Sequence, residues 1–308
     1  MKAFVPTGDS ERVVALADVA EPDPAADEVV VAVEAYSVNR GETFLLERPA
    51  QGWRPGKDVA GVVVRSASDG SGPREGTRVV AHPHSGGWAE RVVAPARQIA
   101  ELPRAVDVVT AAALPLAGLT ALRLLRTVGP VASRRLLMTG ASGGVGHYFT
   151  ELAAAAGAEL TVVTATAERG ERLRALGARH VVQNISAAQG PFDTVLESVG
   201  GASLQEALVK LRPRGTLVWF GQASRTAATL DFFRFWEGPF SGQIRHFDYT
   251  DSDIPDGRDL ETLVALVAEG HLHPEIGLLE DWAQTAEVLR QLRGRGVRGN
   301  AVLKIPKA

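Results

Sequence analysis

The segment with the clearest chemical use is the glycine-rich run Thr139-Gly140-Ala141-Ser142-Gly143-Gly144-Val145-Gly146. An apolar strand pattern precedes it and a helical pattern follows it. At such a turn, a residue without a side chain lets the backbone approach a pyrophosphate, and the helix N-terminus favours its negative charge. Gly143 takes that position, Gly146 lets the helix pack close to the strand, and Ala141 replaces the first glycine of the usual pattern. The segment predicts a dinucleotide site.

The residues after the next strand pattern, 160–164, indicate which dinucleotide binds. NAD sites usually carry Asp or Glu there, because a carboxylate holds the ribose diol. This chain offers Thr164 and Thr166 instead, followed by Arg169. A carboxylate would repel a 2′-phosphate, whereas an arginine can pair with it. The sequence therefore favours NADPH over NADH.

The elements around this turn change character along the chain. Short strand patterns in the first third indicate a barrel or an irregular sheet domain. Residues 107–125 predict two helices, with Thr110 as N-cap and a break at 115–118. From residue 134 strands alternate with helices, which predicts a parallel sheet built of βαβ units. The predicted strands are 12–16, 28–36, 59–65, 78–81, 89–94, 136–139, 160–164, 181–183, 194–197, 216–220 and an edge strand, 301–305; the later predicted helices are 145–156, 167–176, 203–211, 259–269 and 281–290.

Composition excludes several classes of protein. The 308 residues predict two domains, and a net charge of −3 without a basic stripe argues against nucleic acid as a partner. Cysteine is absent, which excludes disulfides, cysteine nucleophiles, iron–sulfur clusters and thiolate zinc sites. The uncharged run 108–122 is too short, and too broken by Pro115 and Gly118, to span a bilayer. With no signal-peptide pattern at the N-terminus, we expect a soluble cytoplasmic protein.

Two superfamilies of oxidoreductases carry a turn of this kind. Short-chain reductases place it at the N-terminus and follow it with Tyr-x-x-x-Lys. Here the turn begins at Thr139, and none of the three tyrosines, Tyr36, Tyr148 and Tyr249, has a lysine four residues later. The chain therefore does not fit the short-chain pattern.

The order of the patterns instead resembles the medium-chain dehydrogenase/reductase superfamily, and within it the zinc-free quinone oxidoreductase (zeta-crystallin-like) branch. The resemblance covers nearly the whole chain and rests on short segments in the family's order. They are Ser37-Val38-Asn39-Arg40-Gly41-Glu42, Pro55-Gly56-Lys57-Asp58-Val59-Ala60-Gly61-Val62-Val63, Gly86-Gly87-Trp88-Ala89-Glu90, Ala112-Ala113-Leu114-Pro115, Gly118-Leu119-Thr120-Ala121, the glycine turn, Glu197-Ser198-Val199-Gly200-Gly201 and Gly299-Asn300-Ala301-Val302-Leu303.

This resemblance implies an α/β protein in which a GroES-like β-barrel domain is joined to a Rossmann domain with a doubly wound parallel sheet. The expected bounds are 1–115 with 256–308 for the GroES-like catalytic domain, and 116–255 for the Rossmann NADPH-binding domain. The family places a cleft at their junction. We also expect a homodimer that forms through the edge of the Rossmann sheet.

Carried over by position, the resemblance gives catalytic positions to Asn39, near the nicotinamide, and Thr120, beside the cofactor at the hinge. The expected cofactor-binding residues are Ala141, Ser142, Gly143, Gly144, Val145, Gly146, Thr164, Arg169, Asn184, Gly221 and Asn300. Two positions depart from the family. The Asn-Pro-x-Asp of many relatives is Asn39-Arg40-Gly41-Glu42 here, and Asn184 stands where relatives often place Tyr.

No metal site is expected from this sequence. Zinc members of the superfamily need a Cys/His/Glu catalytic set and a four-Cys structural lobe, and this chain has no cysteine. The close histidine pairs are His82 with His84 and His271 with His273. Two histidines without a third ligand do not make a site, so both pairs are expected on polar loop surface.

The expected activity is metal-independent transfer of hydride from NADPH to a quinone or an α,β-unsaturated carbonyl compound, which are electrophilic without a metal. The product anion can take its proton from water, and His84 and Tyr36 are candidate donors. An enoyl or polyketide-type reductase of carrier-bound or secondary-metabolite enones is one alternative. A non-catalytic NADPH-binding structural or sensor protein is another. The aromatic cluster at 232–240 is either a wall of the quinone site, or a subunit interface or local core.

Overall fold

The computed structural model describes residues 1–9 and 11–306. It divides into two compact units: the first is Met1–Leu119 with Asp253–Ala308, and the second is Thr120–Ser252. Each unit is described by itself below, with strands and helices numbered along the whole chain. No helix in the described part of the chain is long and apolar enough to cross a membrane.

The first unit contains a seven-stranded mixed sheet and a separate hairpin. Its strands are β1 (Lys2–Pro6), β2 (Val14–Asp18), β3 (Glu28–Val38), β4 (Asp58–Arg65), β5 (Arg78–Ala81), β6 (Arg91–Pro95), β7 (Ile99–Glu101), β14 (Ile276–Asp281) and β15 (Asn300–Lys304). Its helices are α1 (Arg40–Leu45), α2 (Val108–Ala112), α7 (Asp256–Ala268) and α8 (Thr285–Arg293). The order of the large sheet is β14-β15-β3-β4-β5-β7, with β6 also paired to β3.

Strand β3 lies at the centre of this unit because most of its eleven residues are apolar, on both faces of the strand. Nearly all of its side chains are buried, and it pairs with β4, β6 and β15. Tyr36, on this strand, stacks on Trp88 with ring centroids 5.9 Å apart, and both side chains are fully buried. Burying an aromatic side chain of this kind contributes roughly 1.5–3 kcal/mol. The aromatic pair therefore belongs to the core of the first unit.

The two helices predicted at 107–125 are present, but their boundaries differ from the prediction. The N-cap of α2 is Asp107, whose Oδ1 accepts hydrogen bonds from the backbone N–H groups of Val109 and Thr110 at 2.9 and 3.0 Å. Thr110 is therefore inside the helix. Pro115 begins α3 (Pro115–Val128), where its missing N–H costs nothing, and Gly118 lies within that helix.

The second unit is a six-stranded sheet in which every pair of neighbouring strands is parallel. Its strands are β8 (Arg135–Met138), β9 (Glu159–Val163), β10 (His180–Val182), β11 (Phe192–Glu197), β12 (Leu211–Trp219) and β13 (Gln243–His246), and its helices are α4 (Gly144–Ala155), α5 (Ala167–Ala175) and α6 (Ala202–Leu208). The order β10-β9-β8-β11-β12-β13 reverses direction between β8 and β11, which is the Rossmann arrangement. The expected doubly wound parallel sheet is confirmed.

Five strands differ from the prediction, and two of them, β1 and β7 of the first unit, have no predicted counterpart. Strand β15 was expected at a sheet edge but lies between β14 and β3. Strand β14 occupies residues 276–281, for which no strand was predicted, and the helix α8 begins at Thr285, four residues later than predicted. Strand β13 was not predicted, because its four residues are all exposed and show no alternation.

Candidate functional site

Most of the expected cofactor-binding residues lie at one edge of the second unit's sheet. The glycine turn follows β8, Thr164 and Arg169 follow β9, Asn184 follows β10, and Gly221 follows β12. Because the strands are parallel, their carboxyl ends share one edge, and ligands of such sheets bind there at the reversal of strand order. The fold thus brings together residues that are up to 80 positions apart in sequence.

Within the glycine turn, Ala141 and Gly146 have a different role from the four residues between them. Ala141 and Gly146 are buried, and a Cβ on Gly146 would lie 2.1 Å from the carbonyl oxygen of Ala141. These two residues therefore shape the turn by close packing. The inner residues 142–145 are half-buried. They lead into the first turn of α4, where backbone N–H groups have no partner inside the helix.

Gly143 is not required by the fold of the turn. Its φ of −83° suits any residue, and a Cβ placed there would meet only the Gly140 carbonyl oxygen, at 3.7 Å. That space is open beside the N-terminus of a twelve-residue helix. It is therefore a cradle that an added side chain would fill, and the residues present fit a bound pyrophosphate.

The turn after β9 uses hydroxyl groups where a carboxylate would hold a ribose diol. The Thr164 hydroxyl donates to the Thr166 carbonyl oxygen at 2.8 Å, and Thr166 Oγ1 accepts from the Arg169 backbone N–H at 3.3 Å. Thr166 thereby caps α5, and Arg169 lies in the first turn of that helix with its side chain half-buried. The first carboxylate after the strand is the exposed Glu168. This turn fits a phosphate group better than a free ribose diol.

Asn184 and Gly221 already have structural partners. The Oδ1 atom of Asn184 accepts a hydrogen bond from the Ala187 backbone N–H at 2.9 Å and caps a short 3-10 helix, Ile185–Ala187. The Gly221 carbonyl oxygen accepts from Trp219 Nε1 at 2.6 Å. Both residues lie at the carboxyl edge of the sheet, and these two hydrogen bonds to nearby residues help to fix their positions.

Glu197, the last residue of β11, was not among the expected site residues. Its side chain is completely buried. Its carboxylate accepts hydrogen bonds from Thr139 Oγ1, Ser203 Oγ and the backbone N–H groups of Val199 and Gly200, all between 2.8 and 3.1 Å. It joins the start of the glycine turn to the loop after β11. A glutamate at the end of an apolar strand pattern is the sequence signal that points to it.

The catalytic candidate Asn39 lies in the first unit, at the end of β3. Its Nδ2 donates to Asp58 Oδ2 at 2.7 Å, and its backbone N–H donates to Glu42 Oε2 at 2.9 Å. Asn300 begins β15 next to this strand end, because the sheet register pairs Ala301 with Val38. The fold therefore brings Asn39 and Asn300 to the same end of two neighbouring strands. Thr120, the other catalytic candidate, begins the second unit within α3 and is buried.

Burial changes the acidity of two side chains near Asn39. Burial, and then the charge of Asp58, raise the pKa of Glu42 to about 8, although backbone N–H groups of Asn39 and Gly56 act in the opposite direction. Burial also raises the pKa of Tyr36 above its ordinary value. The Tyr36 hydroxyl is 2.6 Å from Thr285 Oγ1 and has no exposed surface, so it is not placed to protonate a substrate.

The histidine pairs differ from the surface positions expected for them. His84, His271 and His273 are exposed, but His82 is buried, and its Nδ1 lies 3.1 Å from Asp58 Oδ1. The expectation was wrong for His82 because β5 carries it into the interior beside a buried carboxyl group. Among the described residues no group of three or more His, Cys, Asp or Glu is arranged to hold a metal ion.

The tryptophan and phenylalanine residues separate into core and surface. Trp88 is fully buried, with its Nε1 donating to the Ser37 carbonyl oxygen at 3.2 Å. In the second unit, the 3-10 helix Phe232–Trp236 and the residues after it leave four large rings in solvent. They are Phe232, Phe233, Trp236 and Phe240, which are between 49% and 78% exposed. Only Phe235 of this cluster packs against the core of the second unit, so the other four rings are not local core.

Comparison with known proteins agrees with this fold. Residues 25–104 match the family model described as alcohol dehydrogenase GroES-like domain, and residues 144–263 match zinc-binding dehydrogenase. Rat quinone oxidoreductase is 31% identical over 223 residues, which are 66% of this chain and 67% of the rat protein. A 2-haloacrylate reductase from a Burkholderia species is 29% identical over 248 residues, 73% of this chain and 72% of that enzyme.

A solved structure shows the same fold over the whole length. The Escherichia coli quinone oxidoreductase, crystallised with NADPH, superimposes with a TM-score of 0.88 at 23% identity, covering 98% of this chain and 99% of that one. The GroES-like and Rossmann parts expected from the sequence are thereby confirmed. The chain belongs to the medium-chain dehydrogenase/reductase superfamily, in its quinone oxidoreductase branch.

Proposed function

We propose that this protein is a metal-independent reductase that uses NADPH to reduce quinones or α,β-unsaturated carbonyl compounds. The observation that carries the proposal is the open space at Gly143 beside the N-terminus of α4, and the arginine in the first turn of α5 after β9 supports it. NADPH, when bound, supplies the hydride. The NADPH in the solved relative supports this choice of cofactor.

The chain's own residues bind and orient the reactants in this proposal. The backbone of residues 142–145 holds the pyrophosphate, and Arg169 pairs with the 2′-phosphate, which distinguishes NADPH from NADH. Asn39, Thr120 and Asn300 contact the reacting end, where the Asn39 carboxamide orients the nicotinamide or the acceptor. Two electrons pass to the acceptor with the hydride, and water supplies the proton that completes the hydroquinone or the saturated carbonyl product.

The choice of acceptor follows from the side chains that the protein offers to a metal ion. Hydride transfer to a carbonyl that is not conjugated is promoted by a Lewis acid or a proton donor that polarises the carbonyl, and the described residues offer no metal site. Conjugated acceptors are electrophilic by themselves. The names of two relatives, quinone oxidoreductase and 2-haloacrylate reductase, both refer to conjugated acceptors. These names support the proposed class of substrate.

Oxidation of NADPH by the purified protein tests the proposal. The acceptors are an ortho-quinone, a para-quinone, an alkenal and a 2-haloacrylate, each repeated with NADH and with a chelator. We expect turnover that resists the chelator and prefers NADPH. Turnover only with enoyl thioesters would favour a reductase of carrier-bound enones. Binding of NADPH without turnover of any acceptor would favour a non-catalytic, NADPH-binding structural or sensor protein.

We also propose that two copies of the chain associate through β13. This strand is the last in the order of the second unit's sheet, and its residues are exposed. An exposed strand edge favours pairing with another chain, and the aromatic cluster 232–240 adds apolar surface in the segment just before β13. Light scattering should give twice the mass of 32.6 kDa. A proline at Ile244, which removes a backbone donor from the strand, should give the mass of one chain.

A further inference from the structure

Asn39 is held from two sides by buried carboxyl groups of the first unit. Its side-chain Nδ2 donates to Asp58 Oδ2 at 2.7 Å, and its backbone N–H donates to Glu42 Oε2 at 2.9 Å. Asp58 and Glu42 are 0% and 1% exposed. Glu42 Oε1 also accepts from the Gly56 backbone N–H at 2.9 Å, which ties the start of α1 to the segment before β4. The backbone and the carboxamide of Asn39 are therefore fixed separately.

Asp58 is itself fixed by four donors from three segments of the chain. Besides Asn39, Ser37 Oγ donates to Oδ2 at 2.7 Å, and the Leu116 backbone N–H donates to Oδ1 at 3.0 Å. His82 Nδ1 is 3.1 Å from the same Oδ1. A carboxylate offers about four lone-pair positions to hydrogen-bond donors. All four are used within the protein, so this carboxylate cannot also bind a ligand.

Two neighbours act on the orientation of the Asn39 carboxamide: the Asp58 carboxylate, and the capping box of α1, in which the Asn39 side chain faces the Glu42 backbone N–H. Because an ionised carboxyl group only accepts hydrogen bonds, it must face the Nδ2 atom. The opposite orientation would bring Oδ1 against Asp58 Oδ2, and two acceptors at that distance repel each other. The Oδ1 atom and the second Nδ2 hydrogen of Asn39 are therefore directed away from Asp58.

We propose that Asp58 is a positioning residue, whose buried carboxylate holds the Asn39 carboxamide in the one orientation that meets the reactants. The proposal rests on the function proposed above, in which Asn39 contacts the reacting end. A small displacement of an orienting group reduces turnover strongly, because the reacting atoms must be aligned. If Asp58 were merely structural, its replacement would lower stability without a selective loss of turnover.

The three asparagines of the chain, Asn39, Asn184 and Asn300, allow a direct test of the orientation. Selective ¹⁵N labelling of asparagine gives three side-chain signal pairs, and an Asn39→Ala variant assigns one of them. In the wild-type protein we expect one Asn39 Nδ2 hydrogen to lie downfield and to exchange slowly with solvent, since it is bonded to a buried carboxylate. A pair with the shift and exchange of a free amide would overturn the proposal without any variant of Asp58.

Two variants that affect the same oxygen then separate positioning from stability. Asp58→Ser removes the charge, whereas Ser37→Ala removes a hydrogen bond of the same 2.7 Å length to Oδ2 and leaves the bond from Asn39. With a para-quinone, we expect Asp58→Ser to lower kcat about 10- to 100-fold and to leave the Kd of NADPH within about twofold. Ser37→Ala should keep kcat within about twofold of the wild-type value, although its Tm falls.

The results that would overturn the role of Asp58 differ from the result that would overturn the proposed function. Equal losses of kcat in Asp58→Ser and Ser37→Ala, or an unchanged kcat in Asp58→Ser, would show that Asp58 does not position Asn39. An unchanged Asn39 signal in Asp58→Ser would show the same. A wild-type protein that turns over no acceptor would instead refute the proposed function, while the NMR signal would still decide the orientation of Asn39.

Discussion

The hydroxyl of Thr139 donates a hydrogen bond to the buried carboxylate of Glu197, with 3.1 Å between Oγ1 and Oε1. Thr139 directly follows β8 and Glu197 ends β11, and these two strands are parallel neighbours at the reversal of strand order. The same Thr139 oxygen accepts from the Ser198 backbone N–H at 3.1 Å. The start of the glycine turn and the loop after β11 are therefore one hydrogen-bonded structure, although Thr139 and Glu197 are 58 positions apart in the sequence.

Replacing Glu197 by Gln should destabilise this structure. The carboxylate only accepts hydrogen bonds here, so the amide nitrogen of Gln would face at least one backbone or hydroxyl donor. Leaving buried groups unpaired costs about 1–3 kcal/mol. We expect a loss of that size in urea unfolding, followed by circular dichroism. Thr139→Ser, which keeps the hydroxyl, is the control with a smaller loss; equal losses would mean that the shared hydrogen bonds are not what matters.

Two glycines of the turn should respond differently to replacement by alanine. Gly146→Ala puts a Cβ 2.1 Å from the Ala141 carbonyl oxygen, so we expect a Tm lower by several degrees. Gly143→Ala meets no close neighbour, so its Tm should stay near the wild-type value. Its methyl group would occupy the proposed phosphate space, and the Kd for NADPH should rise by about tenfold or more. Fluorescence titration measures that Kd, and unchanged affinity in Gly143→Ala would remove the phosphate assignment.

The sequence predicts the second unit better than the first, for a physical reason. The βαβ units of the second unit are local patterns of apolar strands and capped helices, so most strands and helices there were predicted within a few residues. In the first unit β15 pairs with β3 across more than 260 residues. An alternating pattern such as that of β15 does not reveal which strands lie on its two sides, and it was mistaken for an edge strand.

The candidate site also has one part that the sequence predicts and another part that it does not. The glycine turn could be predicted because strand, turn and helix follow one another directly in the sequence. The surroundings of Asn39 could not, because Asp58 meets donors that are between 19 and 58 residues away. His82 was placed on the surface for that reason: nothing near it in sequence shows the buried carboxyl group that it contacts. An acidic residue inside an apolar strand pattern is the usable signal for such partners.

Arg169 should select between the two nicotinamide cofactors. If it pairs with the 2′-phosphate, Arg169→Ala should raise the KM for NADPH by about tenfold or more and leave the KM for NADH unchanged, because a hydrogen bond between charged groups contributes about 1.5–3 kcal/mol. Arg174→Ala is the matched control, since Arg174 lies exposed in the last turn of the same helix. Steady-state kinetics with both cofactors measures the change. Similar increases for NADPH and NADH would contradict the assignment.

The raised pKa of Glu42 should make the first unit less stable as pH rises. Burial and the charge of Asp58 bring this pKa to about 8, against an ordinary value of 4.5. Between these values the folded protein keeps a proton that the unfolded chain has released. The free energy of unfolding contributed by this group is therefore fully present below pH 4.5 and is lost as pH rises to about 8.

Glu42→Gln tests this sign, because the variant carries no titratable group at that position. For the wild-type protein we expect the free energy of unfolding to fall by up to about 1.4 kcal/mol per pH unit from this group between its two pKa values. The Gln variant should have a flatter profile, even though it loses one of the two hydrogen bonds that Asn39 and Gly56 make to Glu42. Urea unfolding at a series of pH values measures both slopes. Glu75→Gln, at an exposed position, should follow the wild-type profile. Parallel profiles for Glu42→Gln and the wild-type protein would mean that Glu42 is already ionised in the fold at low pH, and that the two buried carboxyl groups beside Asn39 both carry charge.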